Sequence, residues 1–282
     1  MDRKGEHETM LRHARADTAN LQQNERHTFA ARYTLAAYKQ GIVCNYIPKN
    51  ACSTLRFSFA VANGFLGKDD DPQWIHLNND TLAVPLRDLL TADYTFVMLR
   101  CPYRRLVSAF LNKAVDYNRD REPLATFRHT RAQQLRKWLG GRKAFYGDLT
   151  FRSFCQFIAQ SEQYGLDEHW RKQVDFLVYK DYSDVLQFED SATAFSKIEE
   201  RGLEIIDTRN RLNHHTSRFE KLEGAFADMP VKELKKLRRE NKAPTAESLY
   251  DPEIRGIVER VYADDLALYK AHFGASSLLF ND

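Results

Sequence analysis

The chain has 282 residues, of which 43% are apolar and 29% charged, enough for one medium-sized globular domain with a packed core. Its formal net charge is only +3, so any basic patch is local and balanced by acid elsewhere. Residues 1–26 are polar and charged without an apolar run, so neither a signal peptide nor a membrane span is expected there.

In chain order, residues 1–28 read as a polar, flexible arm and residues 29–282 as a single domain. A strand pair is expected at residues 33–37 and 42–47. The second strand is the apolar, β-branched start of IVCNYIPKNACSTLR (residues 42–56) and stops at Pro48. Leu55, Phe59, Ala62 and Phe65 then recur at helical spacing, so the loop of Lys49, Asn50, Ala51, Cys52, Ser53 and Thr54 opens directly into a helix. A helix N-terminus offers unpaired amides and partial positive charge. Lys49 adds a full charge, Ser53 and Thr54 add hydroxyl donors, and the short Ala51 lets backbone amides approach an oxyanion, so a phosphate or sulfate group is the expected ligand. The glycines of a Walker A loop are missing, and an ordinary strand-to-helix turn with a hydroxyl cap fits the same residues.

A turn-like stretch at residues 68–72 precedes His76 in WIHLN. Residues 94–99 (YTFVML) form another buried strand ending at Arg100 and Pro102, and Leu106, Val107, Phe110, Leu111 and Ala114 make one face of the next helix. Arg100 thus stands outside the carboxyl end of a strand, where open α/β sheets take their ligands. Its guanidinium fork suits a multiply accepting oxyanion, to which Ser108 on the following helix could add a hydroxyl. A surface ion pair for Arg100 and a bond from Ser108 to its own backbone are the competing readings.

Further along, helices are expected at residues 123–139 and 151–161, a strand at 184–188, a helix through Arg201 and a helical C-terminal third. Alternation of this kind argues an α/β fold with a small parallel sheet and helices on both faces. Basic runs at residues 116–147 and 232–242 read as solvated faces or guides for an anionic ligand. Nucleic-acid binding ranks low, because no nucleic-acid motif accompanies them. His214 and His215 sit in a polar stretch, RNRLNHHTSR, where no cysteine or carboxylate recurs at metal-ligand spacing, so a solvated loop is the better reading. Cys44, Cys52, Cys101 and Cys155 show no paired spacing and are expected as reduced thiols; a nucleophilic Cys52 at the helix N-terminus is conceivable.

The segment IPKNACSTLR resembles the 5′-phosphosulfate loop of the family-2 sulfotransferases, the carbohydrate sulfotransferase group, and FVMLRCPYRRLVSAFLNK resembles their 3′-phosphate site. LDEHWRKQ, DYSDVLQFED and VERVYADDLALYKAHFG are similar to further stretches of that family in the same order, so the resemblance spans about residues 32–274. It implies a P-loop-like sulfotransferase fold: a small parallel sheet flanked by helices, with a helical C-terminal third. It also implies transfer of a sulfuryl group from 3′-phosphoadenosine-5′-phosphosulfate to an acceptor hydroxyl, leaving adenosine 3′,5′-bisphosphate, with no metal required.

By the family pattern, Lys49 and the loop residues Asn50, Ala51, Cys52, Ser53 and Thr54 hold the phosphosulfate, and Arg100 and Ser108 hold the 3′ phosphate. Ser217 and Arg218 belong to a segment that covers the nucleotide. The same pattern puts a histidine base between the two loops, which selects His76. His169, in the His-Trp pair, is the second candidate; it could equally orient the acceptor or be a buried, hydrogen-bonded histidine. The family uses the Cys52 position for packing.

Two departures stand out: Cys101 replaces the usual acidic residue or histidine after the arginine, and Asn50 replaces a commoner small or apolar residue. The expected acceptor is a carbohydrate or glycolipid, in a cytoplasmic, bacterial setting without a transmembrane segment, leaving peripheral membrane contact open. A catalytically inactive nucleotide- or polysaccharide-binding protein is the alternative, and a P-loop kinase a weaker one, given the missing Walker glycines and acidic metal ligand.

Overall fold

The structure, a computed structural model, describes residues 10–14, 20–78, 81–116, 146–161, 166–208, 211 and 219–281. In chain order they form α1 (Glu25–Arg32), β1 (Thr34–Ala37), β2 (Ile42–Asn45), α2 (Cys52–Ala62), α3 (Trp74–Leu77), α4 (Leu86–Leu90), β3 (Tyr94–Leu99), α5 (Pro102–Phe110), α6 (Phe151–Gln160), β4 (Asp184–Gln187), α7 (Ser191–Glu199), β5 (Glu220–Leu222), α8 (Val231–Arg239), β6 (Lys242–Pro244), α9 (Pro252–Val261) and α10 (Ala263–Phe273). They group into two compact units, residues 1–100 with 173–214 and residues 101–172 with 215–282.

The first unit carries a four-stranded sheet in the order β1-β2-β3-β4. The β1–β2 hairpin is antiparallel, with Thr34 opposite Asn45 and Ala37 opposite Ile42, and it turns at Gly41, whose φ of 65° suits glycine. β2 pairs with β3 and β3 with β4 in parallel. Alternate residues feed opposite faces. Leu35, Ala37, Ile42, Cys44, Phe96 and Met98 pack with Leu55, Phe59 and Ala60 of α2 and with Ala194 and Ile198 of α7. Ala36 and Val43 pack on the other face with Ala30 of α1, Leu89 of α4, Val178 and Tyr179. The unit is therefore a small, mostly parallel sheet with helices on both faces, as the sequence pattern predicts.

Two boundaries move. β2 ends at Asn45 rather than Ile47, and Tyr46 and Ile47 continue as buried irregular chain. The fully buried Asn45 side chain is a junction: Nδ2 donates to the carbonyls of Ala30 (3.1 Å) and Tyr33 (3.2 Å), and Oδ1 accepts from the Val178 amide (3.2 Å) and the Tyr182 hydroxyl (2.5 Å). Part of the stretch read as an arm is also anchored. Leu11 is buried, and main-chain bonds link Arg12 to Val178 (2.8 Å) and Lys180 to Met10 (3.0 Å). One apolar residue in a polar stretch is too weak a pattern to signal such a strap.

The second unit is helical and rich in aromatic contacts. Phe110 meets Phe151 and Phe154, Phe154 meets Trp170 edge-on at 5.3 Å, and Tyr103, Tyr250 and Phe280 form a mutually edge-on trio. Thr150 and Ser153 close a capping box at the start of α6. The C-terminal third also contains a short parallel pair, β5 with β6, which the sequence pattern did not indicate because each strand has only three residues. The basic run at residues 232–242 is mostly α8. Val231 and Leu234 are buried, while Lys232, Lys236 and Arg238 pair with Asp148 (2.7 Å), Glu233 (2.9 Å) and Asp116 (2.8 Å). The helix expected at 123–139 and most of the first basic run lie outside the described residues. Among the described residues no helix is long and apolar enough to cross a membrane.

Candidate functional site

The loop between β2 and α2 departs from ordinary backbone geometry. Lys49 and Ala51 both have positive φ, 76° and 58°, a region that L-residues rarely occupy and that clusters at ligand clamps. Ala51 is the N-cap of α2 and offers no side-chain cap, and the first helical bond is Leu55 N to Ala51 O at 3.0 Å. The amides of Cys52, Ser53 and Thr54 thus precede the first helical hydrogen bond and face outward from the helix start. Left-handed turns leading into such a terminus make a concavity of N–H groups suited to an anion. Lys49, Ala51, Cys52 and Ser53 are all partly exposed around it.

Arg100 is bound to this loop. Its Nη1 donates to the Lys49 carbonyl at 2.8 Å, and its guanidinium lies over the Phe188 ring, 4.3 Å from the centroid. Beneath it runs a buried amide network. Asn50 Nδ2 donates to the Met98 carbonyl (2.9 Å) and to Gln173 Oε1 (2.6 Å). Gln173 Oε1 also accepts from the Arg100 amide (3.0 Å), and Gln173 Nε2 donates to the Arg100 carbonyl (2.9 Å). The Asn50 main-chain N–H closes a turn on Ile47 O at 3.0 Å. Asn50 is wholly buried, so its side chain works inside the loop.

Thr54 is likewise buried, with its hydroxyl 3.4 Å from that of Thr208, which leaves Ser53 as the half-exposed hydroxyl of the loop. His76 is exposed on the one-turn helix α3, in the same unit as the loop and Arg100. That helix is tied to α2, because the buried Arg56 donates through Nη2 to the carbonyl of Ile75. Ser108 and His169 belong to the second unit. Ser108 is half-exposed on α5, one turn after Arg104, which pairs with Glu247 at 3.3 Å. Cys101 is fully buried and its sulfur accepts the Leu279 amide at 3.3 Å. Ser217, Arg218, His214 and His215 lie outside the described residues.

His169 has the clearest local chemistry in the second unit. Asp167 Oδ1 accepts from its amide at 3.0 Å and lies 2.6 Å from Nδ1, which directs Nε2 away from that carboxylate. Burial pushes the imidazole below its ordinary range, and the Asp167 hydrogen bond only partly opposes it. The surrounding turn hangs on α5 and the end of α9. The buried Arg105 donates to the carbonyls of Arg171 (2.7 Å) and Glu168 (3.2 Å), and the Tyr262 hydroxyl donates to that of Trp170 (2.5 Å). Three of the motif stretches, those around Arg105, His169 and Tyr262, thereby meet in one hydrogen-bonded turn.

Sequence reasoning passed over Gln173 and Phe188. Both stand inside motif stretches, LDEHWRKQ and DYSDVLQFED, and that position was the available signal.

No curated protein and no solved structure among those compared matches the chain. A family model, Sulfotransfer_2, described as the sulfotransferase family, matches residues 32–272 and so takes in the Lys49 loop, Arg100, the His169 turn and the closing helices. The chain, with its mixed α/β fold and mostly parallel sheet, belongs to the family-2 sulfotransferases.

Proposed function

We propose that the chain moves a sulfuryl group from 3′-phosphoadenosine-5′-phosphosulfate to a hydroxyl of a carbohydrate or glycolipid acceptor. The observation that carries this reading is the left-handed Lys49–Ala51 turn at an uncapped helix start, with Arg100 bonded to the same turn. Lys49, Ser53 and the amides of Cys52 to Thr54 take the phosphosulfate end of the donor, and Arg100, with Ser108, takes the 3′ phosphate. The acceptor oxygen forms a bond to sulfur as the bond from sulfur to the bridging phosphate oxygen breaks, and Lys49 neutralises the charge that gathers on that departing oxygen. His76, exposed on α3, receives the acceptor proton; His169 is the second candidate for this step.

Transfer of labelled sulfate from the donor to a panel of glycans and glycolipids tests the reading. Lys49→Ala is expected to lower kcat by about 10²- to 10³-fold, the size usual for losing one charge-stabilising donor. Arg100→Ala is expected chiefly to weaken donor binding. Undiminished transfer by Lys49→Ala would overturn the assignment, and an undiminished rate for His76→Ala would pass the base to His169.

A further inference from the structure

Gln173 is 1% exposed. Its carboxamide binds both main-chain groups of Arg100, the amide at 3.0 Å and the carbonyl at 2.9 Å, and at the same time accepts from Asn50 at 2.6 Å. Asn50 adjoins Lys49, whose carbonyl takes the Arg100 guanidinium at 2.8 Å. The bonds close a ring: Lys49 to Asn50 through the chain, Asn50 to Gln173, Gln173 to the Arg100 backbone, and the Arg100 side chain back to Lys49. The two N–H donors on Oε1 and the carbonyl at Nε2 fix the orientation of the amide. A ring of this kind holds the end of β3 at a set distance from the turn after β2, and its buried members leave no slack for either to shift alone.

We propose that Gln173 is a positioning residue that sets the spacing between the Lys49 turn and Arg100, and therefore selects ligands carrying two anionic groups at that spacing. This rests on the donor reading above. Each anion subsite is built from its own residues and survives without Gln173, whereas the simultaneous grip on both does not.

The test measures binding of adenosine 3′,5′-bisphosphate, adenosine 5′-monophosphate and adenosine 3′-monophosphate by calorimetry to wild type, Gln173→Met and Gln173→Glu, alongside urea midpoints. Met keeps the length of the side chain and loses every hydrogen bond. Glu keeps both acceptor bonds and loses the donor to the Arg100 carbonyl. The expected result is a fall of about tenfold or more in bisphosphate affinity for Gln173→Met, with each monophosphate changed by less than about threefold, and an intermediate loss for Gln173→Glu. A parallel fall for all three nucleotides, or no change, would overturn the spacing role and leave the donor reading intact. A wild type that does not prefer the bisphosphate would remove the donor reading and this inference with it. If Gln173→Met does not fold, the bisphosphate-to-monophosphate ratio of Gln173→Glu decides alone.

Discussion

Arg105 shows how one side chain can organise a turn from beneath. It is 2% exposed, and its guanidinium bonds the carbonyls of Glu168 and Arg171 on either side of His169 and Trp170. Arg105→Met fills a similar volume and leaves two carbonyls short of donors, so a destabilisation of about 2–4 kcal/mol is expected from urea unfolding. Arg105→Lys is expected to recover little of it, because one ammonium cannot reproduce a planar fork. A loss below about 1 kcal/mol for the Met variant would show that other groups hold the turn.

At this scale the sequence was uneven as a guide. Lys49, Ser53 and Arg100 were legible as residue types that suit an oxyanion at a strand-to-helix junction. The inward rotation of Asn50 and Thr54 was not, because the direction a loop side chain takes depends on partners such as Gln173 and Thr208, distant in sequence.

Among the elements, β3 and α2 are read correctly because their apolar residues are many and close together. The residues of β3 are all buried, and α2 carries seven buried residues on a β-strand-to-helix pattern visible in the sequence. Short elements escaped: α3, β5 and β6 have three or four residues each, too few for a period to show. The β1–β2 hairpin has a more specific requirement at its turn. A Cβ on Gly41 would lie 2.2 Å from Asp93 Oδ2, at a φ of 65°. Gly41→Ala is expected to destabilise by about 1–3 kcal/mol in thermal or urea melts, combining strain and displacement of Asp93. An unchanged midpoint would mean that the hairpin rearranges freely.

Over the whole molecule, the strap at residues 10–14 makes stability depend on pH. Burial, then the charges of Arg12 and Arg26, push the His13 imidazole down to about 4, against a smaller opposing pull from Asp175; burial alone lowers His27. An imidazole held below its unfolded value of about 6.5 favours the folded state above that pH, and the advantage is lost as pH falls from about 6.5 toward 4. Urea midpoints are therefore expected to drop between pH 7 and pH 4.5, and His13→Asn is expected to flatten the drop. An identical pH slope in the variant would place the sensitivity elsewhere. The strap itself was illegible in the sequence, because its single buried residue, Leu11, pairs with Tyr179 across most of the chain.

The left-handed backbone of Lys49 sets stability and chemistry against each other. At a φ of 76°, glycine is the residue that this position would choose for folding alone, with a gain of about 1 kcal/mol or more over a side chain that must be forced there. A library screened only for thermal tolerance would drift toward glycine at position 49 and, in the donor reading, discard the charge that serves the leaving group. In that reading lysine at such an angle reflects selection for turnover, and engineering the chain for robustness would begin by holding that position fixed.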